Sequence, residues 1–325
     1  MEIDLAVILA GVVAGATPIV LATLGETLTE KSGLINLSLD GSILLSAMVS
    51  FAVALNTGSL PAGFAAGALV GATVAAVVAV CAITLGLNQV AVGFVLTLTA
   101  RDLAYFVGNP YSRVQGPQTL PLPVPGLDRI PFIGEVLFNH HLPVYLSIAL
   151  IFLCWGYIYR SAPGLKLQAV GENPGAAYAR GLDPRKWQIL HALAGGALVG
   201  LAGAAFALST KPGWGRPQGA EGTGWIALAL VIFGGWHPVK AAAGAYLFAL
   251  LQVMGIYFQG WLPSVPAQVF QVAPFPLMIF TLLIMSVAQK ESVRRWAERR
   301  KGIRSVLRLF IATAPAALGK PYRAD

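Results

Sequence analysis

What most limits the fold of this chain is its succession of apolar stretches, each bounded by a short polar break. Crossing the hydrocarbon of a bilayer as a helix takes about 20 apolar residues. Segments near 5–24, 33–55, 61–86, 88–108, 142–160, 187–209, 222–236, 240–260 and 269–288 meet or approach that length. The reading is an all-α, polytopic integral membrane protein with about nine transmembrane helices, eight to ten allowing for one either way. The 222–236 stretch is the shortest and reads as a broken or re-entrant helix. Composition agrees: 56% of residues are hydrophobic and 11% charged, where a soluble domain carries roughly a quarter charged. The 36 glycines and the alanine runs suit close approach of helices in lipid. Cys81 and Cys154 sit inside apolar runs with no ligand spacing around them, so they read as buried thiols.

Charge sets orientation. The net charge is +8, and ten of the 22 Lys and Arg residues lie from Gln289 onward. Trp296, Ile303, Val306, Leu307 and Phe310 make that stretch amphipathic as well as basic, so it reads as a cytoplasmic tail lying on membrane lipids and not as a nucleic-acid binder. We divide the chain into a transmembrane domain, 1–288, with a coupling loop at 160–187, and a basic tail, 289–325. With the tail inside, alternating spans leave seventeen Lys and Arg on inner segments and four on outer loops, Arg113, Arg129, Lys211 and Arg216. That asymmetry is the one the positive-inside rule expects, and it places the N-terminus outside. Glu2 and Asp4 precede the first span and no basic residue precedes Lys31. A secretory signal needs a positive start, so the first span is expected to be retained.

The outer loop at 109–141 holds seven prolines with Pro143 just beyond counted, which bars long helices or strands; it reads either as a lid or receptor-docking surface or as a connector. Pro61 and Pro238 are each followed, at the same offset, by Ala-Ala-Gly-Ala (65–68 and 242–245), one at the outer face and one at the inner. This is the pattern of an inverted repeat, which in transporters places the substrate site near midplane.

Polar groups inside spans are expensive, so each calls for a reason. Asn36 and Asp40 are four apart, and a continuous helix would put them on one face lining a polar pathway. Asp40, with Gly41 after it, equally suits the cap of a helix restarted after a break. Asn88 and Gln89 read as an inner-face cap or as a broken helix entering a cavity. Glu221 suits a helix N-terminus, where the dipole favours a carboxylate, and Trp225 reads as an interfacial anchor or a stacking surface. Asn36, Asp40, Asn88, Gln89, Glu221 and Trp225 are the candidate substrate pathway. Arg101 and Asp102 are adjacent, so helix geometry turns them apart and their expected partners lie on other spans or at the outer interface. His140, His141, His191 and His237 lack metal-ligand spacing and read as interface histidines; no metal site is expected.

The segment 164–187, GLKLQAVGENPGAAYARGLDPRKW, is a polar island among these spans. Asn173 followed by Pro174 is a helix start, and Gly181 a stop. Asp183–Pro184 repeats the start signal for the next span. A short capped helix on a basic inner loop is a docking element. No phosphate-binding loop, nucleophile elbow or H-E-x-x-H motif occurs, so the chain is not expected to be an enzyme, and any ATP-driven process must place ATP and Mg on another chain.

Four stretches carry a family resemblance: GETLTEKSGLINLSLDGSILLSA (25–47), LGLNQVAVGFVLTLTA (85–100), GLKLQAVGENPGAAYARGLDP (164–184) and GTGWIALALVIFGGWHP (222–238). In this order they resemble the ABC importer permeases of the branched-chain amino acid and simple-sugar superfamily, above all its nucleoside-uptake branch. The resemblance covers about 5–288 and leaves out the tail. It implies a vitamin-importer-like permease fold with an inverted repeat. Gly171, Glu172, Asn173, Pro174, Gly175, Ala176, Ala177, Tyr178, Ala179 and Arg180 would form the coupling helix that rests in a groove of a cytoplasmic ATPase, with Glu172, Asn173 and Arg180 making or shaping the contact. It implies no cofactor on this chain, a second and paralogous permease subunit, an extracytoplasmic solute-binding lipoprotein, and residence in a prokaryotic inner or plasma membrane. Many relatives carry Glu where Asp40 stands. The alternative reading is an ion-coupled secondary transporter of small polar solutes, with Asp40 holding the coupling ion; a non-transport scaffold leaves the capped helix unexplained.

Overall fold

The computed structural model describes residues 4–261 and 313–320, with isolated positions between 265 and 287. The last expected span, 269–288, and the amphipathic residues Trp296 to Phe310 fall largely or wholly outside the described residues. Among the described residues seven helices are long and apolar enough to cross a membrane. They are α1 (Leu5–Lys31), α2 (Leu39–Thr57), α3 (Leu60–Ala79, prolonged by a π-helical turn to Thr84), α4 (Gln89–Gly108), α6 (Leu142–Arg160), α9 (Pro184–Ala205, prolonged by a π-helical turn to Thr210) and α11 (Pro238–Trp261). An eighth apolar helix, α10 (Thr223–Phe233), has only 11 residues, too few to span, as its broken pattern suggested.

Two boundaries correct the sequence reading. α1 does not stop near residue 24; it runs on to Lys31 and buries Glu26 and Glu30 within it. The second helix does not begin at 33. Residues 34–36 are extended and α2 starts at Leu39, so Asn36 lies outside it and shares no helix face with Asp40. The extended stretch runs beside the first half of α4. The Gln89 side chain accepts from the Ile35 amide at 2.9 Å, Gly93 fits under Leu37, and the Thr97 hydroxyl donates to the Leu37 carbonyl at 2.7 Å. Position 37 therefore sits about two turns along α4, and α2 begins inside the membrane-spanning layer.

The core is closed by small residues. Gly67 and Gly71 of α3 face Gly196, Gly200 and Ala204 of α9 so tightly that backbone meets backbone, while Gly63 lies against the Ser50 carbonyl of α2. A Cβ built on Gly71 would run into the Gly196 carbonyl, and one on Gly200 into the Gly67 carbonyl. Lipid offers no hydrophobic drive for helices to associate, so van der Waals contact between such smooth faces supplies it. Around this seam Leu21, Leu39, Ile43, Leu44, Phe51 and Leu208 form one buried cluster. A second joins α1 to α6, α10 and α11 through Leu24, Ile158, Leu230 and Phe248.

The connections gather at two ends. At one, the Asn56 amide donates to the Tyr111 hydroxyl at 3.1 Å, and the 109–141 and 210–221 segments meet where the Arg113 amide donates to the Trp214 carbonyl at 3.0 Å. The proline-rich segment still holds a short helix, α5 (Ile133–Leu137), and a two-stranded antiparallel pairing of β1 (Pro121–Pro123) with β2 (Asn139–His141). At the other end lie the 32–38 and 161–183 segments and the turn between α10 and α11. These are the two groups of loops that charge assigned to opposite faces.

Candidate functional site

At the end that carries residues 161–183, the loop folds as two helices. The Asn173–Pro174 start and Gly181 stop announce the second, α8 (Pro174–Ala179); no such signal announces the first, α7 (Ala162–Glu172). Asn173 is the joint. Its side chain accepts from the Ala176 amide at 2.9 Å, satisfying a donor that the first turn cannot. Gly181, at φ +83°, ends the turn in the left-handed region, and Asp183 then caps α9 through the Arg185 and Lys186 amides at 3.1 and 3.4 Å. Gly175, Ala176, Tyr178, Ala179 and Arg180 are exposed and Ala177 is turned inward. The result is a six-residue helix whose outer face presents the small Gly175, Ala176 and Ala179 beside the exposed ring of Tyr178.

The end of α7, which leads into this helix, is seated at the start of the 32–38 loop. Gly171 lies against the Lys31 carbonyl, where any Cβ would collide with it. The loop is a junction for most of the bundle. The Gln188 side chain of α9 donates to the Ser32 carbonyl at 3.1 Å, Gln89 of α4 accepts from Ile35, and Glu26 of α1 accepts from the Asn36 amide at 3.0 Å. Residues 313–320 dock here as well: the Ala317 amide donates to the Gly171 carbonyl and the Gly319 amide to the Gly33 carbonyl, both at 3.0 Å.

Glu30 and Glu26 are the functional candidates that the sequence reading passed over. Both are buried, and Glu30 accepts from the Trp236 indole in the turn between α10 and α11. Trp236 holds φ +56°, a region a bulky side chain rarely occupies, and the bond to Glu30 accompanies it. The available signal was two carboxylates four apart in an otherwise apolar run. His237 beside them stacks on Tyr159 with centroids 5.0 Å apart. Burial, then the Lys240 and Lys31 charges, push its pKa down.

Deeper in the layer, the N-termini of α2 and α10 converge on Asp40. It lies in the first turn of α2 and accepts from the Gly224 amide in the first turn of α10 at 3.1 Å. Two helix dipoles thus favour its carboxylate. The capping role assigned to Glu221 belongs to Asp40: Glu221 instead accepts from the Tyr105 hydroxyl and from the Gln218 and Gly219 amides, at 2.9 and 2.6 Å for the amides, pinning the outer loop. Burial pushes the Glu221 pKa up, but these donors outweigh it and leave the carboxyl below its ordinary value. Asn88 caps α4 through the Ala91 amide at 3.1 Å, and Asn36 binds the Ser38 amide and hydroxyl. Trp225 is exposed, 6.4 Å from the ring of Phe94. The six pathway candidates are therefore not one cluster. Asp40 binds Gly224 beside Trp225 in sequence and lies within electrostatic reach of Glu221 in the outer loop, whereas Asn36 lies in the junction loop and Asn88 and Gln89 start α4, Gln89 bonded to that loop. Arg101 and Asp102, expected to look elsewhere, pair with each other at 3.1 Å on the exposed side of α4. His140 and His191 are buried, His191 bonded to the Tyr157 hydroxyl at 2.8 Å, and so do not face the interface.

Comparison with known proteins follows this geometry. The family model described as branched-chain amino acid transport system / permease component matches residues 8–284. The putative glucose ABC transporter permease TsgC13 of Haloferax volcanii is 36% identical over 76% of each chain. The nucleoside ABC transporter permease NupC of Lactococcus lactis is 30% identical over 87% of this chain and 92% of its own. The guanosine ABC transporter permease NupQ of Bacillus subtilis is 30% identical over 86% and 91%. No solved structure matches. A polytopic helical chain with a capped helix standing on a loop junction, matched from end to end of its spans, belongs to the ABC transporter permeases of the branched-chain amino acid family: it is a transport subunit and not an enzyme.

Proposed function

We propose that this permease carries nucleosides inward, with α8 as the lever through which a cytoplasmic ATPase drives it. The observation that carries the reading is the seating of the end of α7, joined to α8 at Asn173, against Lys31 and Gly33 at the start of the 32–38 loop. A partner that moves α8 moves Gly171, and Gly171 bears directly on the Lys31 carbonyl. The loop is tied in turn to α4, α9 and α1, so the displacement reaches the α2 start and the Asp40–Gly224 meeting point. Binding at α8 shifts the inward and outward states only by contacting them differently, and a helix on a bonded junction meets that condition. Two similar permeases named for nucleosides or guanosine, matched over nine-tenths of their length, support the solute class. A related sugar remains the second reading because the Haloferax volcanii relative is named for glucose.

The arrangement follows from these parts. A paralogous permease is the partner in the membrane, an ATPase holding ATP and Mg is the partner inside, and a solute-binding lipoprotein delivers to the 109–141 and 210–221 face. The N-terminus lies outside and the tail in the cytoplasm, with the internal echo at Pro61 and Pro238 marking an inverted repeat about the substrate path. The test is uptake of labelled guanosine and of labelled glucose by cells with and without this chain. Guanosine uptake that needs both the chain and ATP is expected. Glucose uptake alone would move the solute to the sugar class, and uptake by the isolated chain under a proton or sodium gradient would replace the ATPase reading with a secondary carrier.

A further inference from the structure

Residues 313–320 lie outside every stretch that carries the family likeness, yet they return to the most constrained place on this face. Three main-chain donors hold them. Ala317 donates to the Gly171 carbonyl and Gly319 to the Gly33 carbonyl, each at 3.0 Å, and the Ala316 amide donates to the Glu172 carboxylate at 3.2 Å. The segment is also a turn in its own right, with the Leu318 amide on the Pro315 carbonyl, the Lys320 amide on the Ala317 carbonyl and the Lys320 ammonium on the Ala316 carbonyl at 2.9 Å. Pro315 and Ala317 are buried. The fit depends on small residues on both sides. Gly33 takes φ +94°, a backbone that side chains rarely adopt, with Gln188, the Ala317 carbonyl and Gly171 packed around it. Gly319 takes φ +72°, and a Cβ there would come within 2.9 Å of the Ile35 side chain.

The two bonded carbonyls belong to different elements, Gly171 to the end of α7 and Gly33 to the junction loop. A segment that bonds only one element steadies that element alone; one that bonds both fixes the distance between them. Taking the coupling reading above as its basis, we infer that residues 313–320 are a positioning element of the transport machinery. They clamp the end of α7, the root of the lever, to the 32–38 loop, so that displacement reaching Glu172 from α8 is delivered to the loop and not absorbed by movement of α7 against it. Glu172 serves this clamp through the Ala316 amide, which gives it a role beside the helix and independent of any contact with the ATPase.

The test uses the assembled transporter in vesicles, with three forms of the chain: unaltered, ending after residue 312, and Gly319→Val. The β-branched substitution strains the left-handed backbone and pushes on Ile35 while leaving the spans untouched. Guanosine transported per ATP hydrolysed is the readout, since a merely structural loss lowers uptake and hydrolysis together. Both variants should assemble and hydrolyse ATP yet lose the ratio several-fold. Docking is read separately, and without transport, from Ala317→Cys: its thiol should resist a membrane-impermeant maleimide in the unaltered chain and react when Gly319→Val is added, over the background from Cys81 and Cys154. An undiminished transport ratio in the chain whose thiol has become reactive overturns the inference, as does a thiol that reacts at full rate from the start. Lack of ATP-driven uptake by the unaltered transporter is a different result and refutes the transport reading itself.

Discussion

Replacing Asn173 by Ala removes one acceptor and tests the lever directly. The Asn173 side chain accepts from the Ala176 amide at 2.9 Å, at the start of a helix of six residues. The main-chain bonds at its ends include Ala177 to Asn173 at 3.0 Å, and Arg180 to Ala177, Gly181 to Tyr178 and Leu182 to Ala177 at 3.1, 2.8 and 3.1 Å where the turn closes. Helices this short are marginal because nucleation costs several fixed dihedrals for one bond. Loss of an N-cap costs about 1 kcal/mol, which lowers the population of the formed helix about fivefold where that helix is marginal. Asn173 is exposed and α8 touches no span through it, so insertion and assembly should not change. The assay is ATP-driven guanosine uptake normalised to transporter in the membrane, for Asn173→Ala beside Asn173→Asp. Uptake should fall several-fold with Ala and recover largely with Asp, which restores the acceptor. Equal uptake by all three at equal expression would refute the idea that the shape of α8 matters, and a loss of assembled protein would show that the joint is needed for folding instead.

The helix seam gives a sharper structural test. Gly200→Leu should strip the folded chain from the membrane, since overpacking costs about 1–3 kcal/mol even where neighbours can yield and here the neighbour is the Gly67 carbonyl; Gly11→Leu, with open space around it, is the control. Asp40→Asn keeps an acceptor for the Gly224 amide and should support ATP-driven uptake, whereas Asp40→Leu leaves the start of α10 uncapped at a cost of about 0.5–2 kcal/mol. Strict dependence on the Asp40 charge, with ion-gradient uptake by the chain alone, would favour the carrier reading. The Glu221 carboxyl is depressed, so it stabilises the outer loop above its unfolded value of about 4.3 and that contribution fades as pH falls through the lower folded value. Amide-exchange protection at Gln218 and Gly219 should drop in that acid range and lose its pH dependence in Glu221→Gln; protection that instead falls towards alkaline pH would contradict the assignment.

Much of the bundle was legible because hydropathy and length are local properties. α6 was read to the residue and α4 to within one, and the Asn173, Gly181 and Asp183 signals gave the lever its start and stop. What escaped was set by distant partners. The end of α1 is hidden because Glu26 and Glu30 interrupt the apolar run, and the Asn36 amide and the Trp236 indole that meet those carboxylates come from other elements. The start of α2 is hidden because Leu34, Ile35 and Leu37 are apolar, yet 34–36 are non-helical beside α4, held by Gln89 and Thr97. Asp40 suits a cap for its own helix in the sequence, but the amide it meets, that of Gly224, is 184 positions away. The docking of residues 313–320 uses main-chain groups and small side chains, which leave no pattern in a sequence.

In the proposed mechanism α8 meets a nucleotide-hydrolysing partner and passes its motion to the spans. Site-specific crosslinking from the exposed Ala176 position, in the assembled transporter with and without ATP, reads that contact. Adducts to a cytoplasmic ATPase are expected, with a yield that changes with nucleotide state. Adducts to no such chain, or labelling of that position from the outer side of intact cells, would contradict it.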